Sequence, residues 1–411
     1  MLIQGFVNLL LLAGSTAPVN SATIPRDASE DKLEAAYGAL QQWYNHSNGL
    51  WIPSTGWWNS ANCLTVITGV ATVDTRIKQQ IEDVITETFV KAPHYSPEMA
   101  KVMGTGNERY LMQTVYGDQW PYPPPAYLQQ HGRPQRHTFK NFLNDYYDDE
   151  GWWALGWIAA YDLTHDRRYL RQAGIIFEDM YSVFGKTNCS KNSGGIGGIW
   201  WDKSHTYVNA IANELFFSTA ASLANRAKRS SSGPTYLDIA KQQLAWFKGT
   251  GMIGDNFAIN DGLVQQTCNN NGGTIWTYNQ GVILGGLVEL SKATHDNSYV
   301  ELAHNIANAA IATLAPDGIL KDPCEPNCGA DGAQFKGIFV RNLLILHKIN
   351  PRDIYRDFFK RNARSIWDHD RNRRNELSIS WTGPFVSPAN ASTQSSAMDS
   401  LVAAVVVGGP Y

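Results

Sequence analysis

Three short segments, YLRQA from Tyr169, YLDIA from Tyr236 and YVELA from Tyr299, repeat an aromatic, an aliphatic and an alanine at the same offsets, 67 and 63 residues apart. The first and third follow the same Thr-His-Asp triplet (164–166 and 294–296), and a weaker echo starts at Tyr355. A period of this size marks a repeated supersecondary unit. Each unit reads as two helices. One is apolar nearly all round and rich in Gly and Ala, in stretches beginning at Asn59, Asp148, Tyr207, Tyr278, Phe335 and Thr393. The other carries a charged side, beginning at Asp31, Thr75, Asp166, Thr235, Asn297 and Arg352. A helix apolar all round must be buried, and an amphipathic one covers it. Six inner and six outer helices over residues 31–407 predict an all-α chain, an (α/α)6 barrel.

The connections show a polarity. Inner-to-outer links are mostly short, as in LTHD and NPRD, whereas outer-to-inner links are long and rich in Gly, Asn, Pro and Trp. Long loops in compact domains usually carry function. All of these arrive at the N-terminal ends of the inner helices, so those ends should line one mouth.

At that mouth the chain reads DDEGWW, residues 148–153. Acidic residues in a first helical turn are ordinary stabilisers. A pair beside tryptophans is also the arrangement of a retaining glycosidase, with carboxyl groups about 5 to 5.5 Å apart. At about 5 Å and an effective dielectric of about 20, their repulsion is about 3 kcal/mol, roughly two pKa units on one partner. One acid and one anion is the state such a reaction needs. Trp57, Trp58, Trp152, Trp153, Trp200 and Trp201, with Asp202, are expected at the same end. Flat indoles suit the C–H faces of a sugar, and the amides of Asn62, Asn209, Asn213, Asn279 and Gln280 suit its hydroxyls. Lys336 lies near enough to the mouth to be a further substrate contact. Each of these residue types is also common in a protein core or on a solvated face.

Competing chemistry finds little support. There is no GxSxG, HExxH or complete phosphate-binding loop, and DNFAIND from Asp255 lacks EF-hand spacing, so no metal and no cofactor are expected. A formal net charge of −3 gives no electrostatic case for nucleic acid or an anionic membrane. Residues 1–22 read as a secretory signal peptide, and three N-x-S/T triplets at Asn45, Asn188 and Asn390 agree with secretion to the extracellular space or cell wall. Five cysteines then suggest up to two disulfides and one leftover thiol, with the pairing open. No stretch is long enough to span a membrane.

YYDDEGWWALGWI, with WWNSANCLT, GGIWWD, NAIANELFF, NGGTIWTYNQGVILGGL and FKGIFVRNL, resembles glycoside hydrolase family 76, the endo-α-1,6-mannanases. The resemblance covers essentially all of residues 23–411, which it makes one catalytic domain, and it implies the same (α/α)6 barrel. It implies Asp148 as nucleophile and Asp149 as acid/base, adds Tyr278 to the substrate cleft, and makes the partner an α-1,6-linked mannan hydrolysed by a monomer without a cofactor. One similar subgroup is thought to act as a cell-wall transglycosylase, and a mannan-binding protein without turnover is a third reading.

Overall fold

The computed structural model describes residues 28–95, 99–103, 112–116, 140–193, 196–230 and 232–408. Residues 1–22, read above as a signal peptide, lie outside them. The described residues form twelve long helices: α1 (Ala28–Gln41), α2 (Trp57–Val73), α3 (Lys78–Lys91), α4 (Tyr147–Thr164), α5 (Arg167–Tyr181), α6 (Ala210–Ala224), α7 (Tyr236–Gly249), α8 (Thr277–Thr294), α9 (Ser298–Leu314), α10 (Phe335–Ile349), α11 (Asp353–His369) and α12 (Ala391–Val406). The even-numbered helices pack side by side in the order α2, α4, α6, α8, α10, α12 and back to α2, a closed inner ring. The odd-numbered helices surround it, which makes the fold an (α/α)6 barrel. In the long α3–α4 connection, β1 (Met99–Met103) and β2 (Met112–Tyr116) form an antiparallel hairpin that a helix-only reading did not anticipate. Strand β2 runs beside a single helical turn at Gly329–Gly332.

The repeated Thr-His-Asp triplet is a helix-to-helix corner. His165 and His295 end α4 and α8 in the left-handed region, at φ 59° and 58°, a conformation that terminates helices. In both copies the threonine hydroxyl donates to the carbonyl four residues back, Ala160 and Leu290, at 2.8 Å. In both, the aspartate accepts the amide of the residue two further on, Arg168 at 2.9 Å and Ser298 at 2.8 Å. The corner is short because one side chain closes each helix end.

Tight backbone approach explains the small residues of the inner helices. A Cβ on Gly281 of α8 would lie 2.5 Å from the Phe339 Cα, and one on Gly337 of α10 would lie 2.5 Å from the Ser396 carbonyl. The expected start of the third inner helix at Tyr207 is corrected to Ala210, because Asn209 stays extended and accepts the Ala212 amide as its cap.

A recurring buried clamp holds the long loops. Four residues after the cap, Ser60 on α2 accepts the Trp51 amide, and Glu150 on α4 accepts the Asn144 amide at 2.8 Å. At the same position Asn213 on α6 brackets both backbone groups of Ile199, and Gln280 on α8 brackets both of Ile259. Gln394 on α12 takes the Leu377 amide and donates to the carbonyls of Asn375 and Ala36. On α10 the equivalent residue is Ile338, and Asn362 of α11 instead brackets Leu320 and Gly318. All six clamps are fully buried. The disulfide Cys189–Cys268 ties two of the long loops together, Cys324–Cys328 closes a small ring before the Gly329–Gly332 turn, and Cys63 is the buried free thiol.

Replacing Gln280 by Leu strands the amide and carbonyl of Ile259 without water. At about 1–3 kcal/mol for each unsatisfied group, we expect about 2–5 kcal/mol lost in urea unfolding. The exposed Gln79→Leu serves as control and should change little.

A pH dependence follows from buried acids. Burial pushes Asp322 and Asp370 up to about 7, against about 3.9 in an unfolded chain. The folded state therefore binds more protons between those values, and stability falls as pH rises through them. Glu289, which burial alone would raise, is held below its usual value by Arg226 and Lys292, so stability also falls in stronger acid. We expect the thermal midpoint to peak near pH 4 and to be several degrees lower at pH 8. Asp370→Asn should flatten that decline in a calorimetric pH series.

Candidate active site

The first turn of α4 is set by two chain segments lying against each other. Tyr146 is extended and pairs with Asp202, the Tyr147 amide donates to the Trp201 carbonyl at 2.9 Å, and the Lys203 amide donates to the Asp145 carbonyl at 2.9 Å. This pairing brings GGIWWD beside DDEGWW, and the three consecutive acids then have three different environments. Trp201 Nε1 donates to Asp148 Oδ2 at 2.9 Å, and the Asp149 amide donates to Asp148 Oδ1 at 3.0 Å. Asn144 Nδ2 donates to Asp149 Oδ2 at 2.7 Å. Glu150 turns away into the wall as the clamp of α4, 3.0 Å from Lys203 Nζ, which also contacts Asp179 at 2.9 Å. Burial would lower the Lys203 pKa, but Glu150 and Asp179 outweigh it and keep the ammonium charged. Asp148 and Asp149 are 8% and 1% exposed.

Each tryptophan pair divides its labour. Trp57 and Trp153 are wall residues, 5.6 Å apart, and Trp153 packs 4.7 Å from Phe142. Their neighbours Trp58 and Trp152 stack on each other at 5.5 Å. Trp152 in turn stacks on Tyr278 at 6.4 Å, and Tyr278 on Phe335 at 3.8 Å. These four rings come from α2, α4, α8 and α10 and form an aromatic floor across the inner ring. Trp200 stacks on His205 at 5.1 Å, beside Trp201 on the chain.

The remaining expected residues separate into groups. Asn213 and Gln280 have their amides taken by loop backbone, as described above. Asn209 caps α6, and Asp202 accepts the Thr206 amide and hydroxyl. Asn62 accepts a hydrogen bond from Arg341, which also pairs with Asp399 at 2.9 Å. Lys336 is buried against Glu325 at 2.7 Å and the Ile379 carbonyl at 2.6 Å, with its ammonium 4.5 Å from the Trp381 ring centroid. Asn279 is fully buried, and its side-chain atoms have no hydrogen-bond partner among the described residues.

Two residues were missed. Asp261, last of the DNFAIND run, accepts from the Tyr207 hydroxyl at 2.8 Å, which itself accepts from Asn271 Nδ2 at 2.8 Å. Burial pushes Asp261 up to about 6; the Tyr207 hydroxyl opposes the rise and the charge of Asp148 adds to it. Asp331, in the turn after the Cys324–Cys328 ring, accepts from Trp58 Nε1 at 2.8 Å and so fixes one ring of the floor. Asp261 closes a run weighed only for EF-hand spacing, and Asp331, a lone aspartate in a loop, gives no spacing signal. Among the described residues no group of three or more His, Cys, Asp or Glu could hold a metal ion, and no helix is long and apolar enough to cross a membrane.

Against solved structures, the chain is similar to the α-1,6-mannanase GH76A of Salegentibacter sp. HEL1_6, with a TM-score of 0.69 and 19% identity over 92% of this chain and all of that one. It is also similar to Dfg5 from Chaetomium thermophilum in complex with glucosamine, with a TM-score of 0.66 and 18% identity over 93% of this chain and 91% of that one. By sequence it is 28% identical over 235 residues to mannan endo-1,6-alpha-mannosidase DFG5 of Saccharomyces cerevisiae, covering 53% of this chain and 49% of that protein. The chain thus spans about half the length of the curated relatives it matches. The model of glycosyl hydrolase family 76 matches residues 125–409, more than half of the sequence, and the chain belongs to that family.

Proposed function

We propose that this protein is a secreted, retaining endo-α-1,6-mannanase that cuts an α-1,6-linked mannan backbone by double displacement. The observation that carries the reading is the Asp148–Asp149 pair in the first turn of α4, with Asp148 gripped by the Trp201 indole and by a main-chain amide. The Salegentibacter enzyme supports it, because its inactive variant, changed from aspartate to asparagine at two consecutive positions, was obtained in complex with α-1,6-mannotriose.

In this mechanism the Asp148 carboxylate attacks the anomeric carbon while Asp149 protonates the departing glycosidic oxygen. The C–O bond to the leaving sugar breaks as the bond to Asp148 forms. Asp149, now a base, takes a proton from water, which attacks the same carbon and frees Asp148. The two N–H donors hold Asp148 in a fixed orientation, and charge-assisted hydrogen bonds of this kind are the stronger ones. Asn144 does the same for Asp149. Tyr278, the partly exposed ring of the floor, offers an apolar face to a sugar, with Trp152 and Trp58 stacked in line behind it.

Incubation with linear α-1,6-manno-oligosaccharides, followed by mass spectrometry and anomer-resolved NMR, tests the assignment. We expect shorter products with initial α configuration, and a loss of about 10²–10⁴-fold or more in Asp148→Asn and in Asp149→Asn. Longer products would show that a sugar, not water, is the acceptor. Binding without turnover would remove the enzymatic reading.

Asp331 offers a separate check on the floor. Asp331→Leu deprives Trp58 of its acceptor and should raise KM about tenfold with kcat nearly unchanged, the effect of one lost hydrogen bond of about 1.4 kcal/mol. Asp331→Asn retains an acceptor oxygen and should stay near wild type.

A further inference from the structure

Two of the three N-x-S/T triplets, 345 residues apart in the chain, open on one cleft. It has a volume of about 660 Å³ and lies between the α1–α2 loop and the loop entering α12. Trp43, Tyr44, Ile52 and Pro53 give it apolar walls, and Asn45 and Asn390 stand on opposite sides. The cleft sits where the two ends of the barrel meet. There the Ala391 amide donates to Ser54 Oγ at 3.0 Å, Thr55 and Ser392 share a hydroxyl contact, and Gln42 donates to Glu376 at 3.2 Å.

We propose that Asn45 and Asn390 carry N-linked glycans whose inner sugars occupy this cleft against Trp43, and that the third triplet, at Asn188, stays bare. The proposal rests on passage through a secretory pathway. In the transfer, the side-chain nitrogen bonds to the anomeric carbon of an acetamido sugar on a lipid pyrophosphate donor. The carbon–oxygen bond to the pyrophosphate breaks, and the nitrogen loses one proton to the transferase. The amide oxygen keeps its role as acceptor.

That chemistry suits Asn390. Its Oδ1 accepts the Thr393 amide at 3.0 Å and caps α12, while its Nδ2 has no acceptor among the described residues. A sugar on Nδ2 therefore leaves the cap intact. At Asn45 the oxygen takes the amide and hydroxyl of Ser47 at 2.9 and 2.6 Å, and Nδ2 makes one long contact, 3.4 Å, to the Ile52 carbonyl. One amide hydrogen remains after glycosylation to keep it.

Asn188 differs at the asparagine itself and in the loop that it faces. Its Oδ1 is buried without a partner among the described residues, and its Nδ2 donates to the Gln265 carbonyl of the facing loop. The next residue, Cys189, is bonded to Cys268 on that same loop. A glycan there has to separate two loops that the disulfide pins together.

A sugar chain in the cleft bridges the first and last loops of the ring, so it should brace the closure. The protein is produced behind a heterologous secretion leader, so that the test does not depend on residues 1–22. It is then deglycosylated with an amidase in heavy-oxygen water and mapped by peptide mass spectrometry. We expect heavy-labelled aspartate at positions 45 and 390 and none at 188. Asn390→Asp removes the attachment point but keeps a capping oxygen, and its charge favours a helix N-terminus. A fall of about 2–4 °C in thermal midpoint, where the cap argument alone gives no loss, supports the brace. Label at 188, or none at 390, overturns the proposal. So does an unchanged midpoint in Asn390→Asp, or binding of soluble mannan to the fully glycosylated protein that Trp43→Ala abolishes.

Discussion

The barrel depends on a single recurring hydrogen-bonding device, a buried polar side chain one turn into an inner helix that grips the backbone of the loop before it. Ser60, Glu150, Asn213, Gln280 and Gln394 occupy that position on five inner helices, and Asn362 serves the sixth from outside. Long loops carry many backbone donors and acceptors that would be costly to bury unpaired. The clamps satisfy some of these and fix where each loop enters the mouth. Helix packing supplies the walls, and the clamps determine the shape of the opening.

The acidic run of α4 shows how that device positions neighbouring side chains. Glu150 anchors the incoming chain through the Asn144 amide, and the side chain of that same Asn144 reaches Asp149. Trp201, placed by the pairing of its loop with Tyr146 and Tyr147, reaches Asp148. The Asp148–Asp149 pair is thus oriented by groups that the clamp brings into place. The third acid is part of the support for the other two.

Much of this was legible in the sequence because the repeat has a physical cause. Thr164-His165-Asp166 and Thr294-His295-Asp296 are identical corners, and inner and outer helices differ in where their apolar residues fall. The DDEGWW run also stood out, since two carboxyls beside indoles are unusual for a helix start. Asn213 and Gln280 show where the reading stops. An amide that binds loop backbone and an amide that binds a sugar hydroxyl are the same residue type, and only the cap position, invisible without coordinates, separates them. Asp261 and Asp331 escaped notice for the opposite reason: each acts through a partner far along the chain, Tyr207 in one case and Trp58 in the other.

The most direct measurement is a crystal structure of the Asp148→Asn, Asp149→Asn double variant soaked with α-1,6-mannotetraose. One anomeric carbon is expected within reach of both substituted side chains, with a sugar face against Tyr278. An oligosaccharide bound elsewhere on the molecule, or one whose anomeric carbons all lie away from residues 148 and 149, would contradict it.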